Sequence, residues 1–113
     1  MHEYSIVQAL LELCEDEAKK AGADHILNIT VKVGRLSGVE PELLQGAYDV
    51  FSEDHFCKGA ELRLVYQNVI LACQSCGSES EIEKLILTCP KCQSESVEVL
   101  DGEELILMQL EMA

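Results

Sequence analysis

The stretch Cys73-Gln74-Ser75-Cys76 and its counterpart Cys89-Pro90-Lys91-Cys92, twelve residues further on, decides how this chain is divided. Two residues between cysteines make a tight knuckle that turns both sulfurs toward one ion. A second knuckle, returned by a short hairpin, completes a tetrahedral four-sulfur site suited to Zn2+ or iron. Gly77 directly after Cys76 and Pro90 inside the second pair are the turn residues such knuckles use. The alternative use of these cysteines is a disulfide framework. Against it, the first apolar stretch, Ile6 to Leu11, is interrupted by Gln8 and ended by Glu12, so no secretory leader is expected. Paired cysteines without a leader point to a reducing cytoplasm and a metal. The other two cysteines, Cys14 and Cys57, stand alone in sequence and are expected to be reduced core or surface thiols.

A lobe of about thirty residues cannot build a core of its own. Structural zinc supplies such peptides with an apparent ~10–16 kcal/mol, without which they unfold. Residues 70–100 are therefore expected to form an inserted zinc-binding lobe. The parent domain is then assembled from residues 1–69 and 101–113. Its expected class is α+β: two helices packed on a small three-stranded sheet, with the zinc-ribbon-like lobe inserted.

The elements follow from apolar spacing. Ile6, Val7, Leu10, Leu11, Cys14 and Ala18 recur at helical intervals over residues 5–21, with Ser5 and Gln8 in the form of a capping box and Gly22 as the stop. Leu27, Ile29, Val31 and Val33 alternate with Asn28, Thr30 and Lys32, which predicts a strand covered on one side. After a turn at residues 34–38, Pro41 suits a first helical position and Val39 can staple onto Leu44. Leu43, Leu44, Ala47, Tyr48 and Phe51 form that helix's expected apolar stripe. A second strand is expected over residues 61–71, with Leu62, Leu64 and Tyr66 on one face. Within the lobe, residues 81–87 and 97–100 are predicted strands, and Asp101-Gly102 is a turn signal. The last strand, residues 105–112, has apolar residues on both faces, which predicts a central or well-covered place in the sheet. No internal repeat is expected, and no segment approaches membrane-spanning length.

The chain has 113 residues, 21 acidic against 8 basic, for a formal net charge of −13. Zinc ribbons often bind nucleic acid, but that affinity is built on Lys and Arg neutralising phosphates. The carboxylate excess therefore argues against a nucleic-acid partner and toward cations or basic proteins.

The start of the chain is the second informative feature. The amine of Met1, the deprotonated amide nitrogen of His2 and an imidazole nitrogen of His2 can wrap one metal in fused small rings. Nitrogen-rich square-planar coordination favours Ni2+ or Cu2+ over Zn2+, and Glu3 could add a further ligand. The imidazole must be neutral to bind, so affinity should fall in acid. His25 and His55 have no partner at ligand spacing and are expected to be surface loop residues.

Together, Met1-His2-Glu3-Tyr4-Ser5, the first helix, Val33-Gly34-Arg35-Leu36-Ser37, the helix over residues 43–51 and the late pair of C-x2-C motifs resemble the HypA/HybF family. The likeness spans essentially the whole chain, with the motifs in the same order. Those proteins are nickel metallochaperones of [NiFe]-hydrogenase maturation. The resemblance implies His2 as an essential nickel ligand with Glu3 beside it, and Cys73, Cys76, Cys89 and Cys92 as a structural zinc site. Some relatives add an aspartate just before the second helix; Glu40 stands nearest that place, with Glu42 close by, and is the longer side chain. The implied partners are a HypB-type GTPase, the hydrogenase large-subunit precursor and, for some members, urease accessory proteins. No catalytic triad, paired-carboxylate site or phosphate loop is visible, so no enzyme activity is expected. Two rival readings are a zinc-ribbon interaction module without nickel and a rubredoxin-like iron electron carrier, the latter because Cys89-Pro90-Lys91-Cys92 resembles half of a rubredoxin knuckle.

Overall fold

A computed structural model describes residues 2–113, with the side chain of His2 outside that description. Helix α1 runs His2–Lys20 and buries Val7, Leu10, Leu11, Cys14 and Ala18, a stripe at helical spacing. It ends in a Schellman motif, with Ala23 N–H donating to Ala18 O (2.9 Å) and Gly22 N–H to Lys19 O (3.1 Å). Gly22 takes the left-handed conformation this needs (φ +70°). The expected capping box fails. The helix begins at His2, leaving Ser5 exposed inside it. A tertiary contact made by Glu3, described below, holds the start instead.

Strand β1 (Ile26–Gly34) leads to α2 (Pro41–Phe51), a short 3-10 turn (Ser52–Asp54) and β2 (Glu61–Gln67). Three short strands follow, β3 (Val69–Cys73), β4 (Glu79–Ile82) and β5 (Val97–Asp101), and β6 (Leu105–Met112) closes the chain. Pro41 sits at the start of α2 after the N-cap Glu40, and Val39 and Leu44 are both buried on either side of it. Leu43 departs from its expected stripe and is exposed, whereas Leu44, Ala47 and Tyr48 are buried.

The strands make two three-stranded sheets, β2-β1-β6 and β4-β3-β5. In the first, β2 runs parallel to β1 across the α2 crossover, and β6 runs antiparallel to β1. The last strand is thus an edge strand, not a central one. Its double-faced pattern comes from a bulge: Thr30 pairs Gln109 and Val31 pairs Leu107, leaving Met108 as the extra residue. An extra residue inverts which side chains face inward. Leu105, Leu107, Leu110 and Met112 consequently pack on the core, while Ile106 and Met108 face water. A second bulge, between Ile26/Met112 and Asn28/Glu111, buries Ile26 and exposes Leu27.

The strand expected over residues 61–71 breaks at Asn68 and serves both sheets. Tyr66, expected to share a face with Leu62 and Leu64, is exposed and lies under the Arg35 guanidinium, 5.5 Å from the ring centre. The strand expected over 81–87 is only Glu79–Ile82, and Leu85, Ile86 and Leu87 are exposed loop residues.

The two sheets meet at a junction of close backbone contacts. Leu36 N–H donates to Gly102 O (2.7 Å) and Arg35 N–H to Gln67 O (3.0 Å). Lys32 Nζ lies 2.8 Å from Asp101 Oδ2, and Asn68 accepts from Arg35 Nε (2.8 Å) while donating to Glu81 (2.9 Å). Leu36 packs against the small second core of Val69, Leu71 and Ile82.

Candidate metal centres

The two knuckles are built alike. Cys73 N–H donates to Ser78 O, and Cys89 N–H to Ser94 O, both at 2.9 Å. Gly77 N–H donates to Cys73 O (3.0 Å), and Gln93 N–H to Cys89 O (2.8 Å). Gly77 and Gln93 occupy the same place in each loop, and both adopt left-handed backbone, at φ +74° and +62°. Gln93 is the only non-glycine among the described residues to do so. The sequence does carry a short repeat after all: C-x2-C-x-S, at Cys73–Ser78 and Cys89–Ser94. That repeated serine was the available signal for the shared loop geometry.

This construction brings all four sulfurs within 4.8 Å of one another. Across the knuckles, Cys73 and Cys92 are 3.5 Å apart and Cys76 and Cys89 3.7 Å. A tetrahedral ion with Zn–S bonds of ~2.3 Å implies sulfur–sulfur edges of roughly 3.8 Å, so the donor set and its size fit zinc. Cys73 and Cys89, the first of each pair, are buried; Cys76 and Cys92 face solvent.

The electrostatics also call for a cation. The Cys92 backbone amide, helped by the Lys91 amide and Ser78 hydroxyl against the effect of burial, pulls the Cys89 thiol down to about 6. The Ser78 hydroxyl, 3.0 Å from the sulfur, likewise lowers Cys76. Cys92 behaves oppositely. The Ser94 amide pulls it down, but its neighbours, Cys73 first, push it up to about 12. Four thiolates this close repel one another, and a divalent ion removes the obstacle.

Met1 and the His2 side chain lie outside the described residues. Glu3 is buried (8% exposed), and its Oε2 accepts from the backbone N–H of Glu40, 3.4 Å away. The carboxylate thus meets the positive end of α2, whose own N-cap side chain makes no capping bond. Glu3 and Glu42 also line one hollow of about 190 Å3 with Tyr4, Leu43, Gly46 and Ala47. Tyr4 stands edge-on to Phe51, with ring centres 5.3 Å apart, pinning the two helices. The fold therefore brings the first turn of α1 to the start of α2. Glu40 itself is exposed, and its backbone amide meets Glu3.

A family model described as "HypA: Hydrogenase/urease nickel incorporation, metallochaperone, hypA" matches residues 1–112. The chain belongs to the HypA family. A hydrogenase maturation factor HypA from Shewanella sp. (strain MR-7) is 49% identical over 99% of this chain and 95% of its own length. One from Aquifex aeolicus (strain VF5) is 41% identical over 99% and 97%. The solution structure of the Ni metallochaperone HypA from Helicobacter pylori superposes with a TM-score of 0.71 at 37% identity, covering 97% of this chain and 96% of that one. The shared HypA fold agrees with the α+β expectation of two helices, a three-stranded sheet and a cysteine lobe.

Three residues escaped the sequence reading as a group. Cys14 and Cys57 are both fully buried, in contact across the core, and His55 is half-buried against them, not a plain surface residue. No spacing rule joins positions so far apart; only the fold does. His25 is exposed, its backbone paired with Ala113. Among the described residues no helix is long and apolar enough to cross a membrane.

Proposed function

We propose that this HypA-family chain binds Ni2+ at its amino end and delivers it during [NiFe]-hydrogenase maturation, while Cys73, Cys76, Cys89 and Cys92 hold a structural zinc. The observation that carries the proposal is the family match from residue 1, which takes in the Met1-His2-Glu3 chelating sequence. In this reading the Met1 amine and the amide and imidazole nitrogens of His2 are the ligands. Glu3 stands beside them and Glu40 is a further candidate. The place of Glu3 against the start of α2 supports it, because a carboxylate there steadies the first turn that carries His2.

A carrier must release its cargo. Four-coordinate nickel bound at a chain end keeps its axial positions open, so an incoming ligand can attach before the old ones leave. A buried cage would retain the ion. The protein acts as a cytoplasmic carrier without catalysis of its own. Nucleotide hydrolysis falls to a HypB-type GTPase, and the hydrogenase large-subunit precursor receives the metal. Urease accessory proteins are a second class of recipient, in keeping with the family's description. The zinc fixes the lobe.

The test is a nickel titration with metal analysis on protein starting at Met1. Wild type should bind one exchangeable nickel and retain one zinc. His2→Ala should lose the nickel and keep the zinc and the fold, and an extra residue ahead of Met1 should weaken nickel binding. Stoichiometric nickel retained by His2→Ala would overturn the assignment.

A further inference from the structure

Cys14 and Cys57 have no part in either metal site, yet the fold has placed two thiols together in its main core. Both are fully buried. Cys57 Sγ lies 3.9 Å from the carbonyl oxygen of Leu11, on the turn of α1 that precedes Cys14, and each of the two thiols shifts the titration of the other. A third group addresses the pair. His55 Nδ1 accepts the Cys57 backbone N–H (3.1 Å), and its Nε2 lies 3.4 Å from Glu15 Oε1. Glu15 and Cys14 are neighbours on α1, so one turn of helix supplies both the second thiol and the carboxylate that orients the histidine. Cys57 lies in the loop between the 3-10 turn and β2, where Lys58 and Gly59 are exposed. Opening that short loop would admit a small molecule without unwinding α1.

We propose that Cys14 and Cys57 are a redox-modification site: a small hydroperoxide oxidises Cys57, and Cys14 then resolves it to an internal disulfide. In the first step the Cys57 sulfur forms a bond to one peroxide oxygen as the O–O bond breaks. The leaving hydroxide takes up the thiol proton as water, and Cys57 becomes a sulfenic acid. In the second step the Cys14 sulfur attacks the Cys57 sulfur and displaces the sulfenic oxygen, which leaves as water with the proton from Cys14. Two thiols and one hydrogen peroxide give one disulfide and two waters. The division of roles follows from the surroundings. The neighbouring Cys14, and after it His55, hold the Cys57 thiol below the ordinary range against the effect of burial, whereas Cys14 is held well above it, first by Cys57 and then by burial. The thiol with more thiolate character is the one that reacts first.

The product would tie the middle of α1 to the loop entering β2. That link is independent of the nickel assignment, and its test reads neither metal delivery nor nickel affinity.

The experiment uses the zinc-loaded full chain, treated with equimolar hydrogen peroxide, blocked with N-ethylmaleimide and digested with trypsin without reduction. The intact mass should fall by about two units as two thiols become a disulfide. Tryptic peptides 1–19 and 36–58 should appear joined, with one zinc retained per chain and the link reversed by dithiothreitol. Cys14→Ser should form no disulfide and should instead accumulate a Cys57 sulfenic acid trapped by dimedone. The wild-type peptide map stands even if that variant folds poorly. A first disulfide within the Cys73–Cys92 cluster with zinc release, or Cys14 and Cys57 both recovered as maleimide adducts after treatment, would overturn the proposal.

Discussion

At Gly77 the backbone is left-handed (φ +74°) with nothing near the position a Cβ would take, whereas at Gly34 an added Cβ would lie 2.3 Å from the carbonyl oxygen of Gly102. The first glycine answers a conformational demand and the second a steric one, and their alanine variants should differ accordingly. Gly77→Ala should cost about 1 kcal/mol, the usual penalty for a Cβ in left-handed backbone. It should appear as a several-fold loss in competition for zinc against a chelator. Gly34→Ala requires two backbones to part, which places it at or above the ~1–3 kcal/mol of an overpacked core. Chemical denaturation of both variants checks the order; a Gly34→Ala protein as stable as wild type would show that the junction yields. The cluster of four cysteines was legible because its grouping is local: a knuckle is six residues long and its geometry is written in C-x2-C-x-S. The surroundings of Glu3 were not, because the partner amide belongs to Glu40, 37 positions away. Cys14 and Cys57 stayed separate in the sequence for the same reason.

Strands β1 and β6 show how an element can be found and its neighbours misjudged. Each was visible from alternation, but one unpaired residue in each, Leu27 and Met108, reverses the inward face partway along. A period-two pattern with a hidden insertion looks like a strand buried on both sides, which is why β6 was expected in a central or well-covered place. Asn68 was passed over as well: it interrupts the series Leu62, Leu64, Tyr66, Ile70, and that interruption marks where the one expected strand divides between two sheets. The contact of Lys32 on β1 with Asp101 at the end of β5 makes a prediction about these elements. The Lys32 ammonium, seconded by the Gly102 amide, holds the Asp101 carboxyl below the usual carboxylate range. A depressed value means that the pair contributes stability above the unfolded carboxylate pKa of about 3.9 and loses it as pH falls through the lowered folded value. Lys32→Met should therefore raise the Asp101 titration midpoint, followed by NMR of its side-chain carbonyl. The stability gap between the two proteins should close in acid. An unmoved midpoint would assign the whole effect to Gly102.

The molecule measures 52 × 28 × 16 Å along its principal axes, and its apolar interior is divided very unequally along that length. Sixteen buried residues from α1, β1, α2, β2 and the adjoining turns make one core, with β6 packed against it. The sheet β4-β3-β5 has three: Val69, Leu71 and Ile82, with partly buried support from Leu36, Val97 and Val99. Fully buried aliphatic side chains contribute about 1.5–3 kcal/mol each, while ordering a residue's backbone costs about 1–2 kcal/mol. Three such side chains cannot hold a segment running from Val69 to Asp101. The sulfur site must supply the difference, and structural zinc can do so at an apparent ~10–16 kcal/mol. The proposed division into a parent domain and an inserted zinc lobe then has a definite consequence. Removing zinc with a strong chelator should abolish amide-exchange protection in β3, β4 and β5, while α1 and β1 keep theirs. The Gly34–Gly102 contact sits on the boundary, so Gly34, Arg35 and Leu36 should show intermediate loss. Protection lost together in α1 and in β3 would mean that the two sheets unfold as one unit, and the unequal cores would then need another explanation than an inserted lobe.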